Sequence, residues 1–163
     1  MLHRELALPG PPVDIEHIVK SFGIKLGYHL DSAYSIAVRH GTRYFISINV
    51  TNPGRDRWSM AHEFGHIYLN HFNDFHGDTF DERFLSEREH YYLDREADIF
   101  ARELLMPSMW IKRAAGTRIS SDTVRCVREE FSVSWEAAII RLDELGIMPR
   151  DEARRWLSNE PDF

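Results

Sequence analysis

Two histidines four residues apart, His62 and His66, stand in a run that is otherwise mostly apolar. Trp58, Met60, Ala61, Phe64, Ile67 and Leu69 surround them. Apolar residues on nearly every side predict a deeply buried helix over about residues 57–71. Imidazoles buried in such a helix need partners. A spacing of four is about 400° of helix, so both rings leave the same face about one turn apart. That pitch suits two corners of a zinc tetrahedron, at roughly 2.0–2.1 Å from the ion. Glu63 lies about 100° round from His62, beside such an ion rather than on it, where a carboxylate can take a proton from water. With 9 His and 14 Glu in 163 residues, H-E-x-x-H arises by accident only about 0.04 times per chain of this composition. The pattern is therefore read as a metal centre.

Zinc needs a third protein ligand and one open position. No histidine follows at the H-E-x-x-H-x-x-G-x-x-H spacing, so the third ligand is expected to be a carboxylate. A second helix, expected over about residues 86–106 and stopped by Pro107, offers Asp94, Glu96, Asp98 and Glu103. Its apolar stripe is Leu93, Ala97, Phe100, Ala101 and Leu104. Glu96 and Asp94 flank that stripe at similar angles, while Asp98 points further away. Helical geometry leaves Glu96 and Asp94 both open.

The rest of the chain places these helices. Residues 1–12 read as an irregular lead-in ending in Pro9-Gly10-Pro11-Pro12. Asp14 can cap a helix over 15–22, which Gly23 ends. Tyr34, Ile36 and Val38 alternate, as do Tyr44, Ile46 and Ile48, which predicts two strands joined by a turn at His40-Gly41-Thr42. Asn52-Pro53-Gly54 reads as a break. Residues 72–86 look like a loop. Beyond Pro107 come two or three helices, among them 121–131 and 134–145, then a last turn or two over 150–157 and a tail over 158–163. The expected organisation is a core over 13–107 and a helical segment over 108–157. The expected fold is α+β, a small antiparallel or mixed sheet packed on helices with a helical C-terminal segment.

Composition limits the partners. A net charge of −6, with no basic segment, shows no nucleic-acid footprint. There is one cysteine, so no internal disulfide forms; Cys126 is expected as a small core or boundary residue. No apolar run is long enough for a membrane span or a signal peptide, so a cytoplasmic location is expected.

The runs Trp58-Ser59-Met60-Ala61-His62-Glu63-Phe64-Gly65-His66 and Arg95-Glu96-Ala97-Asp98-Ile99-Phe100-Ala101-Arg102-Glu103-Leu104-Leu105-Met106-Pro107 resemble the ImmA/IrrE family of metallopeptidases. That family pairs an A-H-E-x-G-H helix with a later E-A-x-x-F-A-x-x-L-L-M-P helix. Phe131-Ser132-Val133-Ser134 and Arg141–Gly146 are also similar to its closing segment, so the resemblance covers roughly residues 13–148. It implies a zincin-like fold and a zinc-dependent endopeptidase, with His62 and His66 as ligands, Glu63 as general base and Glu96 as third ligand. It further implies a narrow protein substrate, a helix-turn-helix repressor in a prophage, mobile element or stress response. Manganese or iron suits the same donors. Many members carry a histidine where Asn70 stands here. His71, one residue on, is expected at the surface or behind a ligand.

Three further expectations concern the reaction. Tyr92, four residues before Glu96, is the best-placed donor to a developing oxyanion, with His90 and Tyr91 beside it. The strand of Tyr44, Ile46 and Ile48 is expected to offer an edge to which an extended substrate adds as a further strand. The C-terminal helices have the outline of a helix-turn-helix, but residues 135–145 present Glu136, Asp143 and Glu144 against Arg141, a poor surface for phosphates. Two other readings compete with the peptidase. One is a catalytically silent metal-binding module that docks on a regulator, and the other is a DNA-binding regulator.

Overall fold

A computed structural model describes residues 8–30, 34–74, 87–116 and 120–158. The elements are α1 (Ile15–Ser21), β1 (Lys25–His29), β2 (Ile36–His40), β3 (Arg43–Asn49), α2 (Pro53–Tyr68), a 3-10 turn (His71–Asp74), α3 (Glu87–Leu105), α4 (Ser108–Ala115), α5 (Ser121–Phe131), α6 (Trp135–Glu144) and α7 (Arg150–Ser158). The fold is α+β, with a three-stranded mixed sheet and a helical C-terminal region. Contacts divide the chain into two compact units, one holding Asp14–Leu104 and the other Pro9–Val13 with the chain from Leu105 onward.

In the first unit, Asp14 caps α1 by accepting from the His17 N–H at 2.9 Å, and Ile15, Ile18 and Val19 face inward. The sheet order is β1-β3-β2. β2 and β3 pair antiparallel across the turn, His40 opposite Arg43, with Gly41 at φ 60. That positive φ is available to glycine without steric cost. β1 runs parallel to β3, Lys25 opposite Phe45 and His29 opposite Asn49. No apolar alternation announced β1, because Lys25, Gly27 and Tyr28 all lie on the exposed surface.

This topology corrects the expected role of Tyr44, Ile46 and Ile48. Their strand is central, with both hydrogen-bonding edges taken by β1 and β2. Ile46 and Ile48 are wholly buried. A peptide cannot add to β3; among the described residues the open edges belong to β1 and β2.

α2 starts at Pro53, earlier than the apolar run indicated. Asn52 accepts from the Arg55 N–H at 3.0 Å, and proline at the first helical position has no N–H to lose. The break signal was a cap. α2 packs on β3 and β2. α3 crosses α2 in the opposite sense: Arg102 lies over the Trp58 ring, Phe100 meets Phe64 and Tyr68, and Asp98 and Asp94 reach His62. Gly65 permits the approach. A Cβ built there would meet Phe100 Cδ1 at 3.1 Å and Ala97 Cα and O at 3.3 Å.

In the second unit, Ile111, Val124, Val127, Phe131, Ala138, Ile139 and Leu142 are buried. Ser134 caps α6 by accepting from the Ala137 N–H at 3.1 Å. Arg141 does not sit on the exposed face expected for it. It is buried and donates from Nε to the Met106 carbonyl at 3.0 Å. α6 then shows solvent Glu136 and Glu144, which removes the cation a phosphate contact would have used. Cys126 is exposed on α5 rather than buried. No helix among the described residues is long and apolar enough to cross a membrane.

Candidate metal centre

The spacing of His62 and His66 does in the fold what it does on a helical wheel. The two Nε2 atoms lie 3.2 Å apart. Asp94 of α3 brings Oδ1 to 3.1 Å from His62 Nε2 and 4.0 Å from His66 Nε2. These three residues are the group able to hold a metal ion among the described residues. Donors on a tetrahedral zinc at roughly 2.0–2.1 Å stand about 3.4 Å from one another. The three observed separations bracket that value, so the donors fit the ion in number, type and spacing. His66 is buried, His62 is 14% exposed at its side chain and Asp94 43%, leaving an approach for solvent from the carboxylate side.

The carboxylate brought to the two imidazoles is Asp94, one of the two candidates that helical geometry leaves open. Asp94 and Glu96 are about 200° apart on α3, and the antiparallel crossing fixed by Gly65 turns Asp94 toward His62 and His66. Glu96 Oε2 instead lies 3.1 Å from His71 Nε2. Asp98, which the helical wheel set aside, accepts from His62 Nδ1 at 2.9 Å. A carboxylate there orients the ring and leaves Nε2 directed at the ion. Tyr92 keeps its spacing to Glu96, and so lies on the far side of α3 from Asp94; its ring contacts Tyr91 and carries Arg88 over its face. The side chain of His90 lies outside the described residues.

His71 also departs from the simplest helical extrapolation. α2 ends at Tyr68, and Asn70 takes φ 65, a left-handed conformation that asparagine tolerates better than most residues. The chain doubles back, and His71 is buried with Nδ1 2.9 Å from His66 Nδ1. A slip of one residue that would turn a side chain away on a continuing helix is absorbed by this reversal.

Glu63 is buried in α2 between the two histidines. Burial of His62 opposes its charge, but hydrogen bonds to Asp94 and Asp98, and the charges of Glu63 and Asp94, override it. They raise the imidazole in the metal-free site from 6.5 to about 10. The neighbouring carboxylates thus favour positive charge at His62.

Comparison with known proteins agrees with this fold. A solved structure described as a Mycobacterium tuberculosis transcriptional regulator superposes with a TM-score of 0.53 at 17% sequence identity. The match covers 85% of this chain but 41% of that one, so the chain spans less than half the length of that protein. None of the curated proteins compared matches the chain. A peptidase family described as the IrrE N-terminal-like domain matches residues 19–143, which takes in the sheet, the helices carrying His62, His66 and Asp94, and most of the C-terminal helices. The chain belongs to that family.

Proposed function

We propose that the protein is a zinc-dependent, site-specific endopeptidase whose metal is held by His62, His66 and Asp94. The observation that carries this reading is the convergence of two imidazole nitrogens and one carboxylate oxygen beside buried Glu63. When bound, the ion supplies Lewis acidity that makes water a nucleophile near neutral pH. Glu63 takes the proton from the attacking water and delivers it to the departing amine. Asp98 holds His62 in the orientation the site needs. Asp94 is partly open to solvent, the side from which a substrate would approach.

The proposed substrate is a helix-turn-helix transcriptional repressor. Family membership supports a peptide substrate, and the likeness to a protein described as a transcriptional regulator supports a regulatory setting for it. DNA is not the proposed partner, since α6 exposes acidic residues and buries Arg141.

Glu63→Gln tests the reading. Zinc-loaded wild type and variant are incubated with repressors encoded beside the gene, and products are identified by mass spectrometry. A peptidase cuts one of them at a defined bond, and Glu63→Gln keeps zinc but loses cleavage by a factor of about 100 or more. A variant that cleaves as well as wild type would remove Glu63 from the mechanism. Binding without cleavage by either protein would favour a silent metal-binding module.

A further inference from the structure

The contacts behind His66 form a chain that the metal group does not use. Glu96 Oε2 is 3.1 Å from His71 Nε2, and His71 Nδ1 is 2.9 Å from His66 Nδ1. His66 Nε2 then faces His62 Nε2 and Asp94. A carboxylate only accepts, so the His71 Nε2–H donates to Glu96. A neutral imidazole with a proton on Nε2 has an accepting lone pair on Nδ1. His71 Nδ1 therefore accepts from the His66 Nδ1–H. That proton position in turn makes Nε2 the lone-pair nitrogen of His66, and Nε2 is the atom directed at Asp94 and His62.

We propose that Glu96 and His71 are positioning residues that together lock His66 in its Nδ1–H tautomer and aim its Nε2 lone pair into the metal group. The proposal rests on the metal-site reading above and deepens it. His71 is placed by the left-handed turn at Asn70 and held by burial. Glu96 is 62% exposed at its side chain, yet has a buried imidazole as its partner. His62 receives the same service directly, since Asp98 accepts from its Nδ1. The two ligand histidines are thus both backed by carboxylates, His62 by one hydrogen bond and His66 through an interposed imidazole. Hydrogen bonds of this kind fix the tautomer and ring angle of a metal-binding histidine, and their loss costs on the order of 10–100-fold in metal affinity.

Two measurements on the full chain test it. The first is the tautomer of each histidine in metal-free, nitrogen-15-labelled protein, read from long-range proton–nitrogen correlations. In wild type His66 carries its proton on Nδ1 and His71 on Nε2. In Glu96→Ala, whose exposed position makes misfolding a minor concern, both rings lose that single assignment. The second is zinc affinity, measured by competition with a chelating dye. Glu96→Ala weakens zinc by about tenfold or more. In a His71→Gln background, where the glutamine carbonyl accepts directly from His66, Glu96→Ala produces no further weakening. This non-additivity separates a relay from a merely local structural role. His66 found with its proton on Nε2 in wild type would overturn the relay, as would unchanged zinc affinity in Glu96→Ala. Loss of zinc in Glu96→Ala as complete as in Asp94→Ala would overturn it too, by placing Glu96 on the ion. Wild type that binds no zinc would overturn the metal reading itself, and the metal-free tautomers tell that failure apart from failure of the relay.

Discussion

Replacing Gly65 by alanine separates helix stability from site geometry. Alanine in the middle of α2 would gain about 1 kcal/mol of helix propensity over glycine if nothing stood near it. In this fold the new methyl meets Phe100 Cδ1 at 3.1 Å and the Ala97 Cα and O at 3.3 Å. Comfortable carbon contacts lie at about 3.5–4.0 Å, so several tenths of an ångström must be found. The Phe100 ring can rotate, but two of the three neighbours are backbone atoms of α3 and move only if the helix moves. Overpacking of this kind costs about 1–3 kcal/mol. The net effect on stability is thus between neutral and a loss of about 2 kcal/mol, measured by urea unfolding with an unchanged m value. Zinc affinity should suffer more clearly, because Asp94 and Asp98 ride on α3 while His62 and His66 ride on α2. A loss of about tenfold, read by dye competition, is expected. A variant that gains the full propensity term and binds zinc as wild type does would refute the argument that the close approach at Gly65 sets the metal site.

Other outcomes follow from the same geometry. His62 is raised from 6.5 to about 10 in the metal-free protein. Its contribution to stability is therefore complete below about pH 6.5 and fades as pH rises toward 10. Urea unfolding of chelator-treated protein at pH 6, 8 and 10 should show this decline, and His62→Gln should flatten it. Because zinc must displace that proton, binding at neutral pH should release protons to the buffer, as titration calorimetry in buffers of different ionisation enthalpy would show. Asn70→Val should destabilise the protein by about 1–3 kcal/mol and weaken zinc, since a β-branched residue resists the left-handed turn that places His71. Asn70→Gly, which accepts the turn, should do neither.

The most legible part of this chain was the chemistry of one helix. The spacing of His62 and His66 announces that their rings share one face, and the apolar residues around them and Glu63 announce burial. The second helix was legible as a helix but not as a set of directions. Asp94 and Glu96 flank its stripe and Asp98 lies further round, and which of them faces α2 depends on a crossing set by Gly65, Ala97 and Phe100. No wheel drawn for α3 by itself contains that information. The contact of Asp98 with His62 depends on the same crossing. His71 needed a backbone angle at Asn70 that the sequence shows only as a tolerance, not as a requirement. β1 escaped notice because an outer strand with an exposed face carries little alternation. The role given to β3 failed because edge or centre is a property of the sheet order, decided by the parallel return of β1 across the hairpin. The charge of Arg141 argues for exposure, but the Met106 carbonyl accepts from its Nε and gives it a reason to be buried.

The proposed function depends on a metal ion held jointly by His62, His66 and Asp94. Elemental analysis of wild type, Asp94→Ala and Glu96→Ala, each supplied with zinc and freed of excess, tests it directly. About one zinc per chain is expected in wild type, little in Asp94→Ala, and zinc retained in Glu96→Ala with weakened affinity. Wild type without metal, or Asp94→Ala that keeps its zinc while Glu96→Ala loses it, would contradict the account.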